Sequence, residues 1–302
     1  MKKTDPKSYL CPLTAVCAWG SLYVVSKPVL DVIPPFTLVL LRYLLALAVL
    51  LPLAVRLCRR GGIRIQKADW KRFLFVGIAG YGIATGAQFA GTQLSNASTA
   101  SLINSMNPVT ITIFAALLLG ERITKAKAAA LGAVVLGAFV ILGDSLASGA
   151  AAGILVSLLS VCLWSLMSVE VRRLSAEYPP LVITAAALVI AALCLIPVSA
   201  IELNTIGIGQ NGSASLIPSV LYMGLVCTAL SQMLWNLGLS RLEANQCGMF
   251  YPLQPMISTL LGVVILHETI SVRFVLGGIC IIGGIVCNIW SDKQHHRVMG
   301  GN

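Results

Sequence analysis

The sequence predicts an all-α membrane protein: ten transmembrane helices arranged as two inverted five-helix repeats. Three observations carry this. Of the 302 residues, 57% are hydrophobic and only 11% charged, with a mean hydropathy of +0.89, against roughly 45–50% and about 25% in globular chains. The apolar residues fall in blocks of about 20, the length that crosses a bilayer core of roughly 30 Å. Side chains also recur at a fixed shift of 147 positions. A soluble chain of this length would divide into two domains, and 21 basic and 11 acidic residues are too few to cover two such surfaces. Soluble enzymes, nucleic-acid binders and secreted disulfide scaffolds are excluded on that ground.

In chain order, spans are expected at 12–33, 36–57, 72–94, 97–119, 126–144, 150–171, 180–201, 215–239, 242–266 and 272–291. Residues 1–11 carry Lys2, Lys3 and Lys7 like a signal-peptide leader, but the following apolar run is too long for one and reads as the first span. Long uninterrupted blocks call for helices, which satisfy their own backbone in lipid; barrel strands would be shorter and alternating. The longest polar stretches, 56–71 and 202–214, are loops rather than domains.

Charge orients the bundle. The net charge is +10, but seven of the 21 Lys and Arg residues lie between Arg56 and Arg72, in a loop beside spans. With the N-terminus inside, 18 of the 21 fall on the cytoplasmic side, leaving Lys27, Arg42 and Arg273 outside with Asp31, Asp144, Glu202 and Glu268. That bias sets both tails, 1–11 and 292–302, in the cytoplasm. The nine cysteines form no CxxC pair and sit mostly within apolar blocks, where Cys acts as a small hydrophobe. His295 and His296 belong to a solvated tail. No metal site, cofactor or nucleic-acid partner is expected.

The repeat shows in particular residues. Trp19 is followed 15 and 16 positions later by Pro34 and Pro35, and Trp164 at the same distances by Pro179 and Pro180. Lys27 and Arg172 each follow their tryptophan by eight. Ala97, Pro108, Glu121, Gly77, Gly91 and Gly137 recur as Ala244, Pro255, Glu268, Gly224, Gly238 and Gly284. Five spans per repeat, at 12–144 and 150–291, force the second copy through the membrane upside down. Inverted repeats mark many secondary transporters, whose substrate site lies near the midplane where the halves meet.

The stretch from Ala97 through Asn104, Asn107, Pro108, Gly120, Glu121 and Arg122 to the Gly-rich span at 132–143 resembles an EamA domain. The whole chain is similar to two such domains, near 13–143 and 152–290, which would place it in the drug/metabolite transporter superfamily. The resemblance implies ten helices, cytoplasmic termini, a cytoplasmic-membrane location and export or exchange of small metabolites. His267 stands where the first half has Gly120.

Polar side chains inside a membrane face a cavity or another helix. Here they concentrate in spans 1, 3, 4, 6, 8 and 9, which are expected to line a central cavity, with 2, 5, 7 and 10 outside; the resemblance implies the same division. In span 3, Tyr81, Thr85, Gln88 and Thr92 share a helix face, with Thr228, Gln232, Trp235 and Leu239 as their repeat partners. Span 4 offers Ser101, Asn104 and Ser105, matched by Gly248, Tyr251 and Pro252. Span 1 adds Trp19 and Tyr23, and span 6 adds Trp164 and Ser168. A single Ser or Thr more often glues helices together; Asn104, Tyr251, Trp19 and Trp164 are the strongest lining residues.

Pro108 and Pro255, with Pro252 beside the latter, fall near the centres of spans 4 and 9, where proline kinks a helix and frees carbonyls. They are read as hinges. Lys27 is expected to snorkel outward with Asp31 as an i+4 partner rather than meet a substrate carboxylate. Glu121 and Glu268 each precede the next span by a few residues, where a carboxylate suits a helix N-terminus, and are read as structural. Gly82 and Gly86 form a GxxxG packing motif.

These features predict a secondary transporter moving a small neutral or zwitterionic solute, such as an amino acid, by alternating access. No GxxxxGK[ST] motif is present for direct ATP drive. Glu170, the one acid inside a span, lies near the inner edge, so the coupling ion stays open. No nucleophile–base pair or acid pair for an intramembrane enzyme is visible. A flippase or exporter of amphiphiles is the alternative. Small solute and lipid bilayer are the expected partners, and the glycine-rich spans also suit a homodimer.

Overall fold

The computed structural model describes residues 6–94, 97–121, 151–207 and 216–266, with isolated positions between 123 and 136 and between 272 and 283. Most of spans 5 and 10, together with Glu268 and His267, lies outside the described residues. Every regular element among those described is helical: α1 (Leu10–Leu30), α2 (Pro35–Gly61), α3 (Trp70–Leu94), α4 (Ala97–Asn104), α5 (Asn107–Leu119), α6 (Ala151–Leu174), α7 (Pro180–Thr205), α8 (Ile217–Arg241), α9 (Ala244–Gly248) and α10 (Leu253–Leu266). Seven helices among the described residues are long and apolar enough to cross a membrane, α9 and α10 counting as one. The chain is a multi-pass membrane protein.

The double prolines do the same work twice. Pro34 and Pro179 are extended at the N-caps of α2 and α7, and Pro35 and Pro180 take the first helical position, where the missing N–H costs nothing. At their far ends α2 and α5 stop at Gly62 and Gly120, both in the left-handed region at φ +61° and +69°, a conformation only glycine adopts without strain.

α2 and α7 pack along each other and are tied at one end directly and at the other through the segments that adjoin them. At one end Glu202 accepts the backbone N–H groups of Phe36 (3.1 Å) and Thr37 (2.7 Å) and the Thr37 hydroxyl (2.8 Å). At the other, Tyr178 donates to Asp69 at 2.7 Å and accepts from the Gln66 backbone at 3.1 Å. Their outward faces expose Leu44, Val49, Leu53, Leu193, Ile196 and Ile201, an apolar surface that suits lipid.

Glycine sets how close α3 comes to its neighbours. A methyl group at Gly77 would lie 2.6 Å from Ile190 Cγ2 and 3.0 Å from the Ala187 carbonyl of α7; at Gly80, 2.2 Å from Met167 of α6; at Gly86, 2.0 Å from the Phe36 ring. At Gly82 it would meet only the Gly77 carbonyl at 3.4 Å. The expected GxxxG pair is thus corrected: Gly86 is a contact residue and Gly82 is not, because the approach of α3 to α7 and α6 is spaced by Gly77 and Gly80. Gly77→Ala is expected to cost about 1–3 kcal/mol, since neither the branched Ile190 nor a backbone carbonyl can yield cheaply. Thermal unfolding of the purified protein in detergent measures this, and an unchanged midpoint would contradict the packing.

Two features of backbone geometry recur between the halves. α3 widens into a π-helix over Val76–Ala84, and α8 does so over Leu225–Leu230, which overlap under the 147-residue shift. α4 gives way to α5 at residues 105–106, and α9 to α10 at 249–252. In both breaks the ladder tightens to i−3 bonds, as in Met106 N–H to Ile103 O (3.0 Å) and Tyr251 N–H to Gly248 O (3.1 Å). Pro108 does not kink the middle of a continuous helix; it sits in the first turn of α5, immediately after the break.

Candidate functional site

The breaks and the π segments converge on one pocket. Trp19 and Leu22 enter it from α1, Arg42 from α2, Thr85 and Gln88 from α3, Asn104 from the end of α4, Trp164 from α6 and Gln232 from α8. Tyr251 from the second break and Gln254 from α10 complete the wall. The space between them, with the open solvent at its mouth included, is about 370 Å³.

Its floor is aromatic. The ring centroids of Trp19 lie 5.5 Å from both Trp164 and Trp235 and 6.1 Å from Tyr251, stacked on the last. Trp235 and Tyr251 meet edge to face at 4.8 Å. Hydrogen bonds hold the rings. Trp164 Nε1–H donates to the Tyr251 hydroxyl, and Trp19 Nε1–H to the Cys227 carbonyl at 2.8 Å. That carbonyl belongs to the π segment of α8. The π segment of α3 likewise offers the Tyr81 carbonyl to the Tyr43 hydroxyl at 2.5 Å. Widened turns tilt carbonyls toward second donors, so the irregular backbone here anchors side chains.

The polar wall is pre-arranged as well. Tyr23 OH accepts from Gln88 Nε2 at 2.8 Å and from Asn104 Nδ2. Asn107, fully buried, donates to the Asn104 carbonyl (2.8 Å) and to its side-chain oxygen (3.1 Å), and accepts from Ser165 of α6 at 3.1 Å. It fastens the α4–α5 break to α6, a role the sequence reading did not assign to it.

Of the residues singled out from the sequence, Trp19, Thr85, Gln88, Asn104, Trp164, Gln232 and Tyr251 line the pocket. Tyr23 and Trp235 stand directly behind them, through the bonds and ring contacts just given. Tyr81 packs edge to face behind Trp164 at 6.0 Å, and its hydroxyl accepts from Asn236, which also donates to Thr184 of α7. Thr228 spends its hydroxyl on Arg42 and the Met223 carbonyl. Ser101 and Ser168 are buried and outside the lining. Pro252 lies in the break before α10 and Pro255 in that helix's first turn. Lys27 is exposed.

The placement of span 2 outside the cavity is corrected. Arg42, counted as an outer charge, is 2% exposed and faces the pocket. Helical periodicity puts Arg42 and Tyr43 on the face of α2 that packs inward with Leu38, Val39 and Ala46. The pocket is therefore lined by a basic side chain. Leu22 and Gln254 were also missed; nothing in their local sequence sets them apart.

At the end of the bundle carrying the basic loop, polar contacts join α3, α5, α6, α8 and α9. Glu170 bridges Arg72 (3.2 Å) and Arg173 (3.3 Å). Arg173 also donates to the Leu118 carbonyl, and Arg172 to the carbonyls of Leu239 (3.0 Å) and Ser240 (3.3 Å) at the end of α8. Glu121 accepts the backbone N–H groups of Ala244 (3.0 Å) and Asn245 (3.4 Å). It therefore caps the start of α9, 123 residues away, a partner its position in sequence did not reveal; the start of the next span lies mostly outside the described residues.

Burial holds the Glu121 carboxyl above its ordinary value of 4.5, against the pull of those two N–H groups. The folded protein binds this proton more tightly than the unfolded chain, so the contribution to stability is complete below 4.5 and fades as pH rises through the folded value. Glu121→Gln keeps an acceptor and should flatten that slope. Glu121→Ala removes the same titrating group and also leaves two helix donors uncapped, so it should flatten the slope and sit about 1 kcal/mol below Glu121→Gln. Thermal unfolding across the acid-to-neutral range separates the two; an identical slope in Glu121→Gln and wild type would refute the assignment.

Comparison with known proteins agrees with this architecture. An archaeal protein named an uncharacterized transporter, from Archaeoglobus fulgidus, is 25% identical over 92% of this chain and 97% of its own length. The aromatic amino acid exporter YddG of Ancylobacter novellus is 26% identical over 91% of this chain and 94% of its own. A crystal structure of 24% identity superposes with a TM-score of 0.76 over 95% of this chain and 98% of the other, which shows the shared fold. Residues 6–143 and 151–290 each match the EamA-like transporter family, and the chain belongs to that family.

Proposed function

We propose that this protein is a secondary transporter that exports or exchanges a small neutral or zwitterionic metabolite, of the size and character of an amino acid, across the cytoplasmic membrane. The observation that carries this reading is the central pocket, where side chains of both family repeats bring tryptophan and tyrosine rings against amide groups. Rings accept the apolar part of a solute and amides its polar ends. The 26% identity to an aromatic amino acid exporter points the same way.

Alternating access supplies the mechanism. In the inverted ten-helix arrangement, α4–α5 and α9–α10 act as the moving walls and flex at their breaks beside the pocket. α2 and α7, packed along each other, stay as the frame. The contacts of Glu170, Arg172, Arg173 and Glu121 close the cytoplasmic end, so opening inward requires them to part. Both termini lie in the cytoplasm by the distribution of basic residues.

Counterflow in proteoliposomes tests the reading. Vesicles loaded in turn with unlabelled amino acids and related metabolites are expected to accumulate labelled solute transiently with one loading class. Silence across the panel, with the protein folded and inserted, would reject it and favour amphiphile flipping.

A further inference from the structure

Arg42 is the least explained group in the pocket. Its side chain is buried, 2% exposed, within an apolar bundle. Nε donates to Thr228 Oγ1 at 3.1 Å, and the guanidinium lies 5.0 Å above the centre of the Phe89 ring. These two contacts fix its position. Nη1 is enclosed and has no hydrogen-bond partner, and among the described residues no carboxylate forms an ion pair with it. Burying a cation without an anion is strongly unfavourable, and leaving one of its N–H groups unmatched adds to that. A residue needed only to hold Thr228 would not require a charge.

The same pocket holds the complementary deficit. Gln232 and Gln254 both line it, and the Oε1 of each is buried without a donor. Gln232 follows Thr228 by one helical turn on α8. The site thus presents one unmatched cationic donor, two unmatched amide oxygens and an aromatic floor. A guanidinium fork matches a carboxylate in shape and charge. An amide oxygen matches an ammonium or hydroxyl.

We propose that Arg42 is a carboxylate-binding subsite, so that the solute carried is a small monocarboxylate. Its second polar group meets Gln232 and Gln254, and its apolar part lies on Trp19 and Trp164. This rests on the transport reading and narrows it, since amines and neutral amides of the same shape are then poor cargo.

Three of the five tryptophans lie in or against the pocket, so intrinsic fluorescence reports occupancy without transport. The probes are L-phenylalanine, 3-phenylpropionate, L-phenylalaninamide and phenethylamine, titrated onto purified wild type, Arg42→Gln and Arg42→Lys. The two carboxylates are expected to bind wild type roughly tenfold or more tighter than the amide and the amine. Arg42→Gln should lose that preference, and Arg42→Lys, which keeps the charge without the fork, should keep part of it. Tighter binding of phenylalanine than of phenylpropionate assigns the amide oxygens to an ammonium; equal binding leaves the carboxylate subsite intact and removes the ammonium from it. Equal binding of acid and amide by wild type overturns the proposal, as does binding of none of the four. A preference for acids that survives in folded Arg42→Gln does so too. The wild-type comparison decides even where a variant fails to fold. Counterflow with the same four solutes separates the two readings: carboxylate preference in binding without exchange sinks transport and leaves the subsite, whereas exchange of the amide as fast as the acid does the reverse.

Discussion

Tyr251→Ala should lower the initial rate of counterflow roughly 30-fold or more. The ring contacts Trp19 and Trp235, each pair contributing about 0.5–1.5 kcal/mol beyond simple burial. The hydroxyl is also the acceptor for Trp164 Nε1–H, and a buried indole donor left alone costs about 1–3 kcal/mol. Losing both frees three tryptophans to shift into the space left. Tyr251→Phe keeps the rings packed and loses only the acceptor, so its rate should drop about tenfold. Rates are read in proteoliposomes and normalised to inserted protein. A wild-type rate in Tyr251→Ala would remove this pocket from the transport path.

Asn107→Ala should destabilise the protein by about 1–3 kcal/mol. The side chain is fully buried and its amide satisfies the Asn104 backbone carbonyl at the end of α4 while its oxygen takes the Ser165 proton. Alanine leaves the Asn104 carbonyl unmatched in an apolar interior, which costs about 1–3 kcal/mol, while Ser165 keeps Thr110 Oγ1 at 2.6 Å as a partner. Asn107→Asp keeps the acceptor for Ser165 but sets a carboxylate against the Asn104 carbonyl, so it should rescue little. Thermal unfolding in detergent measures both variants. A loss below about 0.5 kcal/mol would show that the break is held by packing alone.

The transverse organisation of the molecule was legible in the sequence, and the reasons are local. Block length reports a bilayer because each helix must satisfy its own backbone. The double prolines mark the starts of α2 and α7 because proline sets φ and needs no donor at that position. The site was half legible. Polar and aromatic residues at helical spacing found Trp19, Gln88, Asn104, Trp164, Gln232 and Tyr251, since such groups inside lipid must face one another. The same rule drew in Tyr81 and Thr228, which stand behind the lining, the first packed on Trp164 and the second bonded to Arg42. A polar side chain is known from sequence to need a partner, but the partner's identity is not.

What the sequence determined by itself, then, is which residues leave water and where helices begin and stop. These depend on hydropathy and backbone chemistry within a few positions. The tertiary structure alone decided which way each helix is turned. It brought Arg42 of α2 against Thr228, 186 positions away, and Glu121 to the start of α9. It also placed the π segments of α3 and α8 where their carbonyls receive Tyr43 and Trp19. Rotation about a helix axis costs almost nothing in the helix itself and is set by what the neighbours can bury, so it is written in contacts between distant parts of the chain.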